Sequence, residues 1–61
     1  MRDIDRIDPF MKELAEIWKN NVPDWRFGQF VYNIISVCGD PFFWEEDTFL
    51  EKVREMMKKR H

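Results

Sequence analysis

The chain has 61 residues, enough for one small domain near the lower size limit for folding without disulfides or bound metals. Ten basic and twelve acidic residues give a net charge of −2, so the composition gives no reason to expect a general affinity for nucleic acid or anionic lipid. The single cysteine, Cys38, excludes an intramolecular disulfide and a cysteine metal cluster, as is typical of a reducing compartment.

The first predicted helix follows a charged N-terminal arm. Residues 1–7 are predicted to form this arm and to be flexible, although Ile4 and Ile7, three residues apart, can also extend the first helix backwards or lie along it. Asp8 can accept hydrogen bonds from the free N–H groups of a first helical turn, and Pro9 loses no hydrogen bond at the first helical position. This pair therefore predicts a helix over residues 9–20. Its inward face is predicted to contain five apolar residues: Phe10, Met11, Leu14, Ile17 and Trp18.

The second and central helix is predicted over residues 25–38, with Asp24 as its N-cap. Its apolar residues recur at steps of three and four, which predicts a stripe that the flanking segments cover. The stripe consists of Phe27, Phe30, Val31, Ile34, Ile35 and Cys38. Gly28 lowers helix stability, so we expect the ring of Trp18 or Phe49 to lie close to it, or alternatively a ligand to touch its backbone.

An aromatic connector is predicted after the second helix. Gly39 is suited to the left-handed conformation that closes a helix, and Pro41 prevents the helix from continuing. Residues 42–44, Phe-Phe-Trp, are expected to form an extended or single-turn segment whose rings cover the end of the bundle. A short β-like pairing of these three residues is the alternative interpretation.

The third helix is predicted over residues 48–59. Thr48 and Glu51 have the spacing of a capping box, and Asp47 is the alternative N-cap if the helix begins one residue earlier. The apolar stripe of this helix consists of Phe49, Leu50, Val53, Met56 and Met57. Three amphipathic helices with short connections predict a single all-α domain over residues 1–61.

The sequence predicts neither a membrane span nor a secreted protein. No apolar run approaches the roughly 20 residues that cross a bilayer. The opening M-R-D-I-D-R-I-D is alternately charged, unlike a signal peptide. We therefore expect the protein to stay in the cytoplasm and to make no contact with a membrane.

No group of residues in the sequence predicts catalysis. Glu45, Glu46 and Asp47 are consecutive and cannot all face one point, and no histidine lies near them to act as a base. The one histidine, His61, is the last residue and is expected to be frayed. We therefore expect no enzyme, no cofactor, no metal site and no small-molecule substrate.

Two strings carry a resemblance: P-D-W-R-F-G-Q-F-V-Y-N, residues 23–33, and D-P-F-F-W-E-E-D-T-F-L, residues 40–50. They resemble a family of very small bacterial and phage proteins that has no assigned activity. In that family a short amphipathic helix precedes a proline-aspartate turn, a glycine-glutamine pair and an aromatic, acidic segment. The resemblance extends over most of the chain from about Phe10 and implies a small accessory or mobile-element protein that binds a larger protein.

The sequence favours a non-enzymatic protein-binding module. Three Trp, six Phe and one Tyr are many for so small a domain. Either some rings are exposed or packed at an interface, where aromatic residues are enriched, or they only cover the edges of the core. An aromatic and acidic patch is expected to bind a larger protein, as an inhibitor or adaptor. The candidate partner-binding residues are Trp25, Arg26, Gln29, Tyr32, Asn33, Phe43, Trp44, Glu45 and Glu46.

Two alternatives remain open. The surplus rings can pack in a homodimer of a self-associating helical domain. The polar residues of the second helix can instead read nucleic-acid bases, with lysines and an arginine near the C-terminus on phosphates. These residues are Arg26, Gln29, Asn33 and Ser36 for the bases, and Lys52, Lys58, Lys59 and Arg60 for the phosphates. The twelve acidic residues disfavour this second alternative.

Overall fold

A computed structural model describes residues 2–60, apart from the side chain of Arg60, a predicted phosphate contact. Met1, predicted to belong to the arm, and His61, predicted to be frayed, lie outside the described residues. Within the described range the chain is all-α, as predicted, and contains no strand. Its elements are a 3-10 turn η1 (Ile4–Arg6) and the helices α1 (Ile7–Asn21), α2 (Phe27–Cys38) and α3 (Glu46–Arg60). None of these helices combines the length and the apolar character that a membrane span requires.

α1 begins before its predicted start because η1 leads directly into it. The carboxylate of Asp3 caps η1 by accepting a hydrogen bond from the backbone N–H of Asp5 at 2.9 Å. The predicted cap, Asp8, and the following Pro9 lie inside the first turn of α1, where a proline costs little because those N–H groups have no partner within the helix. The prediction of an Asp8 cap is therefore wrong, and Ile4 and Ile7 belong to a backward extension of the first helix, which is the alternative to an irregular arm.

α2 begins two residues after its predicted start. Arg26 is its N-cap, and the side-chain oxygen Oε1 of Gln29 accepts a hydrogen bond from the backbone N–H of Arg26 at 2.9 Å. Asp24 lies instead in a turn closed by a hydrogen bond from the N–H of Trp25 to the carbonyl oxygen of Val22 at 3.0 Å. The prediction of Asp24 as the cap is wrong, because Asp24 is a central residue of this turn and α2 begins only after it.

The two glycines have different environments. Gly39 ends α2 with a φ of +97°, and its N–H donates to the carbonyl oxygen of Ile35 at 2.9 Å, which confirms its predicted role. Gly28 lies on an exposed part of α2, and a Cβ atom added there would meet no atom within 4 Å. The expected close approach of Trp18 or Phe49 to Gly28 is therefore wrong.

α3 also begins before its predicted start. Its first residue is Glu46, and the carbonyl oxygen of Glu45 accepts a hydrogen bond from the N–H of Phe49 at 3.0 Å. The two predicted caps, Thr48 and Asp47, lie inside the first turn, so neither begins the helix. Carboxylates in this first turn interact favourably with the positive end of the helix dipole.

The core lies along α3, which packs against both α1 and α2 more extensively than those two pack against each other. Nine buried side chains form this core: Leu14, Ile17, Val22, Phe30, Ile34, Leu50, Val53, Met56 and Met57. Three residues of the predicted apolar stripes, Met11, Phe27 and Ile35, are exposed instead. Each belongs to a helix that α3 covers on one side only.

Candidate functional site

The segment between α2 and α3 contains a tight turn, residues 40–44, which we name the aromatic turn. The side-chain oxygen Oδ1 of Asp40 accepts a hydrogen bond from the backbone N–H of Phe42 at 3.0 Å. The backbone N–H of Trp44 donates to the carbonyl oxygen of Pro41 at 3.1 Å, which closes a four-residue β-turn. These two hydrogen bonds define the turn and place its two central residues at the tip.

The rings at the tip of the aromatic turn are exposed. Phe42 is 78% and Phe43 89% exposed, and their rings meet edge to face with centroids 4.8 Å apart. The prediction that the rings cover the end of the bundle is wrong for both, because each ring is largely exposed and the two pack on each other. Trp44, in contrast, is half-buried. Its ring packs on Phe49, and the Nζ atom of Lys52 lies 5.0 Å from its centroid.

Two ion pairs join the N-terminal segment to the start of α3, beside the aromatic turn. Arg2 donates to Oε2 of Glu45, and Nε of Arg6 donates to Oε1 of Glu46 at 2.7 Å. The hydrogen bond from Arg2 lowers the pKa of the Glu45 carboxyl and raises the pKa of the Arg2 guanidinium. Because both pairs are accessible to solvent, they position the N-terminal segment more than they stabilise the fold.

The surface around the aromatic turn is acidic. Residues 2–6 and 40–47 together contain six carboxylates and two guanidinium groups. An open groove of about 380 Å³ borders the turn and is lined by Arg2, Arg6, Phe42, Phe43, Trp44 and Glu46. Between residues 2 and 60, no group of three or more His, Cys, Asp or Glu side chains is placed to hold a metal ion. The groove is thus lined by three aromatic rings, two arginines and one carboxylate, and the two segments that border it carry an excess of four negative charges, six carboxylates against two guanidinium groups.

The nine predicted partner-binding residues divide between two regions. Phe43, Trp44, Glu45 and Glu46 lie on the aromatic turn or directly after it. Trp25, Arg26, Gln29, Tyr32 and Asn33 lie just before α2 or along it. α2 has 12 residues, about 18 Å of helix, and the aromatic turn follows its C-terminal end. The structure therefore does not place the nine residues in one patch.

Trp25 belongs to the edge of the core. It is half-buried and packs against the core cluster. Its carbonyl oxygen accepts a hydrogen bond from Nε1–H of Trp18 at 3.1 Å, and the Trp18 ring stacks on Phe30 with centroids 5.5 Å apart. These contacts give Trp25 a structural role at the junction between α1 and α2.

The polar residues of α2 make hydrogen bonds within their own helix. Besides the cap that Gln29 provides, Nδ2 of Asn33 donates to the carbonyl oxygen of Gln29 at 2.7 Å. The two amides therefore use part of their hydrogen-bonding capacity inside α2 and not toward a base edge. Tyr32 lies on the same helix with most of its side chain exposed.

Sequence reasoning misses three residues that line the groove beside the aromatic turn: Arg2, Arg6 and Phe42. The two arginines lie in the predicted arm, and their partners are 43 and 40 residues away along the chain, so no local pattern indicates the ion pairs. For Phe42 a signal was present. Asp40-Pro41 is a turn signature, and the residues that follow it are expected at the tip of a turn.

Comparison with known proteins gives no relative for this chain. No family model, no curated protein and no solved structure matches it. The resemblance of residues 23–33 and 40–50 to small bacterial and phage proteins therefore stays a prediction. A functional argument has to start from the chemistry of the described residues themselves.

Proposed function

We propose that this chain is a non-enzymatic protein-binding module that binds its partner through the aromatic turn and the acidic residues beside it. The observation that carries the proposal is the exposure of Phe42 and Phe43 at the tip of a hydrogen-bonded turn. Large apolar side chains that are exposed together mark contact sites. Aromatic rings are also prominent among the residues that contribute most to binding free energy.

The aromatic turn holds its rings in a defined arrangement before any partner binds. Two hydrogen bonds restrict the backbone, and the rings of Phe42 and Phe43 pack against each other. Trp44 attaches the base of the turn to α3 through its contacts with Phe49 and Lys52. Less conformational entropy is lost on binding when the contact residues are ordered in advance. Phe42 and Phe43 are thus the contact residues, and Trp44 supports them.

The charge around the aromatic turn indicates the chemistry of the partner. Six carboxylates and two guanidinium groups leave this surface negative. A partner with an apolar pocket for the rings and a rim of Lys or Arg is complementary to it. Proteins that bind nucleic acid carry basic rims of this kind. A cytoplasmic inhibitor or adaptor of such a protein, in a bacterial or phage setting, fits this surface and the family resemblance.

A random-peptide display library tests the proposal with a defined probe. We expect the wild-type chain to enrich peptides that combine a large apolar residue with Lys or Arg. Affinity for an enriched peptide, measured by isothermal titration calorimetry, should fall as salt is added, because exposed charges are screened. If no peptide is enriched, or if the enriched peptides lack basic residues, the proposed partner chemistry is wrong.

A double variant locates the binding surface. Phe42→Ser combined with Phe43→Ser should weaken peptide binding by at least about 2 kcal/mol, or roughly thirtyfold, since truncated hot-spot residues cost this much. The matched control is Val37→Ser, because Val37 is an exposed apolar residue on α2 outside the turn. Circular dichroism should show unchanged helix content in both proteins. Wild-type affinity in the double variant would show that the aromatic turn is not the contact surface.

A further inference from the structure

α2 has a second exposed surface that the proposed function does not use. Residues four apart lie on the same side of a helix, so the outward residues form two adjacent rows. This surface, which we name the α2 face, consists of Phe27, Val31 and Ile35 in one row and Gly28, Tyr32 and Ser36 in the other. Tyr32 is 70%, Phe27 52% and Ile35 45% exposed, whereas Val31 is half-buried and the Phe27 ring contacts Trp18. Most of the α2 face is therefore open to solvent.

The α2 face carries no charge. None of the 12 residues of α2 is Asp, Glu, Lys or Arg, whereas the exposed positions of α1 and α3 are mostly charged. The outward side of a helix in a soluble domain normally presents charged residues to water. A helix without charged residues on its exposed side is expected to be covered by another surface.

Gly28 makes a notch in the α2 face. A glycine inside a helix lowers helix stability relative to alanine, yet no neighbouring atom within this chain lies within 4 Å of the place a Cβ would occupy. Internal packing therefore does not account for the glycine. A second helix that crosses at this point can bring its backbone close, since no side chain intervenes.

We propose that two copies of this chain associate through the α2 face, with α2 of one copy packed along α2 of the other and Gly28 at the edge of the contact. In a twofold dimer the same surface of each copy faces the other, so a surface with one sign of charge repels its own copy. The α2 face is uncharged and meets its copy without this repulsion. A partner selected by charge would find no complement here, and the acidic aromatic turn is the surface that attracts such a partner.

The size of the α2 face sets the expected strength of the dimer. A standard stable interface buries about 800 Å² on each partner, roughly one sixth of the 4989 Å² accessible surface of this chain. One contact between two helices of about 18 Å covers less than this. The dimer is therefore weak and dissociates on dilution.

Sedimentation velocity across a dilution series from micromolar to millimolar protein tests the dimer. The average mass should rise from the 7.6 kDa of the monomer toward twice that value. Ile35→Lys and Tyr32→Lys each place an unpaired charge in an uncharged contact and should stay monomeric at every concentration. Gly28→Leu fills the notch and should raise the dissociation constant by about tenfold or more. Circular dichroism should show that each variant keeps its helix content.

Two matched variants decide whether the α2 face is the contact surface. Val37→Lys places the same charge on α2 outside the face, and Phe42→Ser with Phe43→Ser removes the rings of the aromatic turn; both proteins should dimerise like the wild type. A wild-type chain that is monomeric throughout overturns the inference. So does a folded Tyr32→Lys protein that still dimerises, or a loss of the dimer in either matched variant. Peptide binding by the aromatic turn is measured separately, so failure of one proposal is distinguishable from failure of the other.

Discussion

α2 is the more apolar helix and α3 the more charged one, yet α3 buries more of its side chains. α2 has no charged residue and buries two apolar side chains, Phe30 and Ile34. α3 is charged at nine of its 15 positions and buries four apolar side chains, Leu50, Val53, Met56 and Met57. The more apolar helix is thus the less buried one.

The reason lies in the number of neighbours that each helix has. α3 packs against both α1 and α2, so even its narrow apolar stripe is covered from two sides. α2 packs mainly against α3, and its outward side has no covering element within residues 2–60. The apolar character of a helix therefore does not predict its burial. Apolar residues that exceed the available cover indicate a contact surface instead.

Truncation of an inward ring on α2 should have the largest effect on stability, and truncation of an outward ring should have almost none. Phe30→Ala removes a fully buried ring and should cost about 3–5 kcal/mol, enough to unfold most of so small a domain. Tyr32→Ala, its matched control, should change the free energy of unfolding by no more than about 0.5 kcal/mol. Urea unfolding at low protein concentration measures both. Equal losses would show that the total hydrophobicity of α2, and not its buried side, stabilises the fold.

The end of α2 should show the next largest effect. Gly39 has a φ of +97°, which residues with a side chain rarely adopt. Gly39→Ala should therefore destabilise the fold by about 1–3 kcal/mol. Thermal unfolding followed by circular dichroism measures the shift. An unchanged melting temperature would show that the connection from α2 to α3 does not depend on this backbone conformation.

Substitution of Gly28 by alanine should stabilise the fold, in contrast to the same substitution at Gly39. Its surroundings are open, so Gly28→Ala should raise the free energy of unfolding of the monomer by about 0.8–1 kcal/mol through helix propensity. The measurement uses the same thermal scans as for Gly39, at a concentration where the chain is monomeric. Destabilisation by Gly28→Ala would mean that an atom of this chain occupies the notch.

The ion pair of Arg2 with Glu45, just before α3, should show the smallest effect. The Arg2 hydrogen bond lowers the pKa of the Glu45 carboxyl in the folded state, so its contribution is present above the ordinary carboxyl pKa of about 4.3 and is lost as the pH falls through the lowered value. Arg2→Gln should return the pKa of Glu45 toward its ordinary value in an NMR titration. The control Arg54→Gln removes a different ion pair, with Glu13, and should leave Glu45 unchanged. An identical Glu45 titration in wild type and Arg2→Gln would show that this pair does not form in solution.

Local patterns correctly predict the class of the fold, the number of helices and one helix end. Recurrence of apolar residues at steps of three and four is a property of a single helix, and Gly39 followed by Pro41 ends α2 by backbone conformation alone. The helix starts are predicted less well. Asp8 and Asp24 are good caps by residue type. However, η1 extends the helical segment past Asp8, and Asp24 lies inside the turn from Val22 to Trp25.

Composition and periodicity are local properties of the chain, so a small all-α domain with ten aromatic residues is readable from the amino acids alone. Which of those rings are exposed depends on how the helices pack. Trp25 and Trp44 find neighbours on other helices, whereas Phe42 and Phe43 do not. The ion pair of Arg6 with Glu46 also depends on tertiary structure, because residues 40 apart in sequence come into contact only once the helices have packed.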